Sequence, residues 1–68
     1  LDTNESRLFG YALQLAPEKE FFIRKAMGWA LRDYARWNPQ AVTDFVVQHR
    51  ERLSPLTVRE AAKHLELP

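Results

Sequence analysis

Three prolines divide this chain, at the steps Ala16-Pro17, Asn38-Pro39 and Ser54-Pro55. Proline lacks a backbone N–H and clashes with the preceding turn, so a helix stops before it. It is also favoured as the first residue of a new helix, where the missing N–H is not needed. Asn38 and Ser54 are good N-cap residues ahead of such a start. Each segment between these steps carries apolar residues at helical spacing, and no β-hairpin signal or sustained alternating run is present. The expected fold is therefore all-α, with about four helices joined by short turns as antiparallel pairs.

The first helix is expected over residues 4–15, with Leu8, Ala12 and Leu15 on one face and Phe9, Tyr11 and Leu13 widening it. Asp2 and Glu5 have the spacing of a capping box, and Thr3 and Asn4 are alternative caps. Gly10 weakens this helix by about 1 kcal/mol relative to alanine, and close packing against another helix is its expected explanation. Pro17 is expected to open the second helix, with Glu18 and Glu20 near its positive end. In the third, Val42, Phe45 and Val46 face inward, followed by a polar tail. In the fourth, Leu56, Ala61 and Leu65 face inward, with Arg59 and Lys63 four apart on the polar side.

The second segment, Phe22–Trp37, separates into two faces on a helix. Ile23, Met27, Ala30 and Tyr34, edged by Ala26 and Leu31, form an apolar stripe that can dock on a neighbour. Lys25, Trp29, Arg32 and Arg36 fall on the opposite side. Docking does not require an indole among cations on the far face. Cations beside an exposed aromatic suit a polyanion that also offers flat surface, as a nucleic acid does.

At 68 residues the chain holds one small unit. A unit of that size buries only about 60% of its unfolded surface and is marginally stable on its own. No cysteine is present, so disulfide and thiolate-metal staples are excluded. His49 and His64 lack the spacing of a local metal site, and no cofactor is expected. The net charge of +1 does not by itself point to a polyanion. Between Arg24 and Arg36, however, four cations face one anion, a local +3. No apolar run approaches the ~20 residues of a membrane span, and there is no signal peptide, so a cytoplasmic location is expected. The chain starts at Leu1 rather than methionine and ends abruptly at Pro68, and residues 1–68 are read as one piece of a larger helical-repeat domain. Helix pairs of this size stack as α-solenoids, each burying its face on the next. A piece alone leaves an apolar face uncovered, through which it can self-associate.

The stretch EFFIRKAMGWALRDYARWNPQAVTDFV, followed by LSPLTVREAAKHL, resembles the C-terminal region of the DNA alkylation repair enzyme family, HEAT-like-repeat DNA glycosylases of the AlkD kind. The matching positions are Phe21, Phe22, Ile23, Lys25, Ala26, Gly28, Trp29, Leu31, Arg32 and Tyr34, then Asn38 and Pro39. Leu53, Ser54, Pro55, Leu56, Arg59, Glu60, Ala61, Lys63 and His64 continue the pattern. Met27 and Thr57 are mild departures, and Trp37 replaces a small or polar residue. The resemblance covers roughly residues 18–66. It implies HEAT-like repeats, and a parent enzyme that binds double-stranded DNA and releases N3- and N7-alkylated purines. It places Trp29 in the lesion cleft; Lys25, Arg32 and Arg36 from the polar face of the second helix, with Arg59 and Lys63 at matching positions, are the DNA-binding candidates. The family's catalytic aspartate and a second cleft tryptophan belong to earlier repeats. No catalytic residue is therefore expected here, and Asp33 and Asp44 do not inherit that role.

Each of these residues also has a plainer reading. Trp29 can cover a neighbouring helix or repeat, and the cations can be a solvated face. Arg24 or Arg36 can pair with an acid one turn away, and Arg59 and Lys63 with Glu60 or Glu66. His64 is expected to be packed or hydrogen-bonded, Tyr34 and Trp37 to be core or helix-contact residues, and Phe21 and Phe22 to anchor repeat packing. The alternative function is a non-catalytic helical-repeat module that binds protein or nucleic acid.

Overall fold

The computed structural model describes residues 2–65, with side chains from residue 5 onward. Four helices account for these residues, with no strand among them: α1 (Asp2–Gln14), α2 (Phe21–Ala35), α3 (Pro39–His49) and α4 (Pro55–Ala61). The all-α fold and the helix count follow the proline punctuation.

Two of the three proline steps act as expected. Asn38 caps α3, its side chain accepting from the Ala41 N–H at 3.2 Å, and Pro39 is the first helical residue. Ser54 caps α4 through the Thr57 N–H at 3.0 Å, ahead of Pro55. Pro17 does not open α2. It lies in a turn, residues 18–20 are irregular with Glu20 extended, and α2 begins at Phe21 with no acid in its first turn. The detour has a partner: the Arg24 side chain donates from Nε to the Glu18 carbonyl at 2.8 Å, holding the connection against the first turn of α2. At the other end, α2 closes at Ala35, with Arg36 and Trp37 still turning. The α1 cap expected from Asp2 to Asn4 lies outside the described side chains.

The most extensive helix contact joins α2 to α4, not to its chain neighbours. Contacts advance in the same sense along both helices, from Arg24 with Thr57 to Trp29 and Arg32 with Glu60, so α2 and α4 run in the same direction. The intervening α3 must therefore run back, and each consecutive pair is antiparallel. On the other side, the Phe9 and Phe45 rings stack at 4.2 Å and 15°, joining α1 to α3. Alternate helices thus share a layer, the arrangement of a helical repeat.

The core is formed by Ala12, Leu31, Ala35, Val42, Phe45, Val46, Leu53 and Ala61, with Leu8, Phe9, Leu13, Met27, Tyr34 and Val58 packed around it. Leu31, Val42 and Val46 are the largest fully buried side chains, each worth about 1.5–3 kcal/mol of apolar burial. On α2 the most buried line is Gly28, Leu31 and Ala35. The expected stripe of Ile23, Met27, Ala30 and Tyr34 is only half-buried, and Ala26 is exposed. The helix has rolled toward α4 because glycine at 28 removes the side chain that would hold α4 away.

Tyr34 makes the helix contact expected of it, its hydroxyl donating to Glu5 at 2.7 Å. Three other aromatics do not. Trp37 is 84% exposed, Phe22 76% and Phe21 61%, so none anchors packing within the described chain. Gly10 is also corrected: a Cβ there would meet nothing within 4 Å, so no helix packs closely against it.

Candidate nucleic-acid interface

The interface begins at Gly28. A Cβ on this residue would lie 2.5 Å from the Glu60 Cβ and 3.0 Å from the Thr57 carbonyl oxygen. No side chain fits there, and α4 comes close enough to set Glu60 beside the next residue of α2, Trp29. A chain of hydrogen bonds holds that approach. The Ser54 hydroxyl donates to Thr57 Oγ1 at 2.9 Å, and Thr57 Oγ1 donates to the Arg24 carbonyl at 2.9 Å, tying the start of α4 to α2.

Glu60 then joins the two residues of greatest interest. Trp29 donates from its indole Nε1 to Glu60 Oε1 at 2.9 Å. The Arg32 guanidinium lies 3.8 Å from the same oxygen and 5.1 Å from the Trp29 ring centroid. The side chains of Glu60 and Arg32 are mostly covered, whereas Trp29 remains 53% exposed. The indole is thus fixed at its edge and flanked by a cation, yet about half of it faces solvent. Fixing it in advance lowers the ordering cost of any stacking contact.

Around this trio the cations distribute unevenly. Trp29, Arg32, Asp33, Arg36, Lys63 and His64 line one open cleft. Arg36 pairs with Asp33 at 3.4 Å, the acid one turn away, but both side chains are largely exposed. Such a pair is worth little and can rearrange around an anion. Lys63 lies in the turn beyond α4 rather than on the helix, and His64 is exposed rather than packed. Lys25 sits on the adjoining side of Trp29, its ammonium 5.7 Å from the Phe21 ring, in a depression lined by Phe21, Phe22, Ala26 and Trp29. Arg59 is exposed on α4 and lines neither depression. The structure therefore gathers Trp29, Lys25, Arg32, Arg36 and Lys63 on one continuous surface and leaves Arg59 off it.

Residues 2–65 match the family described as DNA alkylation repair enzyme. The chain belongs to that family. Comparison with curated proteins and with solved structures finds no match. Membership gives the chain a general role in DNA alkylation repair, with DNA as the relevant kind of partner.

Asp33 is turned to Arg36, and Asp44 accepts from Gln40 at 2.8 Å. Among the described residues no cluster of His, Cys, Asp or Glu could hold a metal ion, and no helix is long and apolar enough to cross a membrane. Two contributors had no role in a site from sequence: Glu60, read as a matching position of the resemblance and a pairing partner for Arg59 and Lys63, and Gly28, read as a matching position alone. A glycine inside a helix next to an exposed tryptophan is the signal that could have found both.

Proposed function

We propose that residues 1–68 are a C-terminal helical-repeat part of a DNA glycosylase that binds duplex DNA and releases N3- or N7-alkylated purines. The observation that carries this reading is the half-exposed Trp29, held at its edge by Glu60 with Arg32 against its ring. Arg36 and Lys63 extend the charge along the same cleft, and Lys25 adds a cation on the other side of the indole. Cations positioned along a surface contact phosphate and hold register without reading sequence. An aromatic face among them meets a base or sugar, a contact worth about 1–3 kcal/mol. Phe21 and Phe22, exposed beside Trp29, widen the apolar part of that surface. The chain binds and orients; the carboxylate that stabilises the developing sugar cation lies in preceding repeats. Solution in the cytoplasm, in contact with the chromosome, is the location that fits this role.

The test is base release from a duplex containing 7-methylguanine by the protein that carries this chain. Trp29→Ala should lower release at least tenfold while circular dichroism stays unchanged, and undiminished release would refute the assignment. The 68-residue chain alone should release no base. A second reading, a non-catalytic module that binds nucleic acid or protein, is favoured by one observation: Asp33, the acid that lines the Trp29 cleft, is paired with Arg36, and Asp44 is held by Gln40 outside that cleft. An aspartate and a tryptophan in the preceding repeats would decide for the enzyme.

A further inference from the structure

Among the described residues, Glu60 is the one acid in contact with the Trp29 surface that does more than neutralise an exposed cation. Its Oε1 accepts the indole N–H at 2.9 Å and faces the Arg32 guanidinium at 3.8 Å, and its side chain is only 16% exposed. Two physical effects follow. The Arg32 charge, 5.1 Å from the ring centroid, would repel any cation approaching the indole, and the Glu60 carboxylate cancels it. A carboxylate accepting the indole N–H also pushes electron density into the ring, which strengthens its attraction for a cation lying on its face. A neutral aromatic gains from neither effect.

From this geometry we infer that Glu60 is a positioning residue that makes the exposed face of Trp29 selective for a flat cation over a neutral aromatic of the same shape. The inference rests on the proposed function for the identity of that cation, since a purine alkylated at N3 or N7 carries a positive charge and an undamaged purine does not. The backbone has been shaped for the contact: Glu60 reaches the indole because Gly28 lets α4 approach. Neither Arg32 nor Trp29 provides this selectivity by itself, because an unpaired guanidinium would disfavour a cation.

The test needs no DNA in its first arm. Trp37→Phe leaves Trp29 as the single tryptophan, and Trp37 is exposed enough for that change to leave the fold intact. In this background, Trp29 fluorescence is quenched with N-methylnicotinamide, a flat pyridinium cation, and with neutral acrylamide. Glu60→Gln keeps an acceptor for the indole N–H and removes the charge. The ratio of cation to acrylamide quenching should fall about fourfold at low salt, the effect of one unit charge about 5 Å away in a water-like medium. Arg32→Gln together with Glu60→Gln should restore part of the ratio, since the carboxylate's effect on the ring stays lost, and Arg32→Gln alone should raise it above the starting value. An unchanged ratio in Glu60→Gln, or a double variant that stays low, would overturn the inference. The Arg32→Gln variant keeps the test decisive should Glu60→Gln lose helicity, because failure of the ratio to rise would also overturn it.

The second arm compares binding to a duplex with a central 7-methylguanine and to the same duplex with guanine. Glu60→Gln should narrow the preference for the first, and an undiminished preference would count against the inference. Absence of binding to either duplex would refute the DNA-binding reading, while the quenching ratio would still decide the role of Glu60.

Discussion

Gly28 and Glu60 meet across the α2–α4 contact so closely that the smallest possible side chain at position 28 would collide with the Glu60 Cβ at 2.5 Å. The obstructing atom belongs to the main stem of Glu60, and the Thr57 carbonyl lies 3.0 Å away, so relief requires α4 to move. Gly28→Ala should therefore destabilise the chain by about 1–3 kcal/mol through overpacking, despite alanine's higher helix propensity. Gly10→Ala should do the opposite. Nothing lies within 4 Å of the added methyl group, so the change should stabilise α1 by up to about 1 kcal/mol. Urea denaturation of the two variants measures the contrast, and equal signs would contradict it.

The two proline-bearing caps should differ in strength. Asn38 is exposed and its cap bond to Ala41 is 3.2 Å, so Asn38→Ala should cost about 1 kcal/mol. Ser54 is buried, and its hydroxyl both accepts from the Thr57 N–H and donates to Thr57 Oγ1, which in turn holds Arg24. Ser54→Ala should cost more, about 2 kcal/mol, because buried polar groups lose their partner. Thermal melts of the two single variants give the ranking.

Among the cations, position rather than charge should decide the contribution to DNA binding. Lys63 and Arg59 carry the same charge on neighbouring turns, but Lys63 lines the Trp29 cleft and Arg59 does not. Lys63→Ala should reduce the slope of log affinity against log salt by about one, and Arg59→Ala should leave it nearly unchanged. Arg36→Ala should lower the slope with a stability change within about 0.5 kcal/mol, since its pair with Asp33 is exposed. Binding isotherms at several salt concentrations separate these cases.

Local signals in the sequence carried most of the fold. Asn38-Pro39 and Ser54-Pro55 placed two helix starts because cap and proline act on their own backbone. Val42, Phe45 and Val46 turned inward because helical spacing leaves them little choice. What failed depended on which helix lies against which. Pro17 permits a helix start but does not require one, and the Arg24 bond to the Glu18 carbonyl favours the irregular path. The close helix approach expected at Gly10 occurs at Gly28 instead, since only the packed α4 distinguishes the two glycines. Trp29 was visible as an indole on the wrong face, whereas its partner Glu60 lies 31 residues away in sequence and no local period links them. Trp37, an equally large indole, was expected in a contact and is almost fully exposed.

These two tryptophans allow the most direct test of the central claim, that the Trp29 face meets DNA. In a ¹⁵N-labelled chain each indole N–H gives its own resonance, and a duplex containing 7-methylguanine can be titrated against both. The Trp29 resonance should shift progressively, and the Trp37 resonance should remain within the spread of the unaffected backbone amides. A shift confined to Trp37, or no shift of either at saturating DNA, would contradict the account.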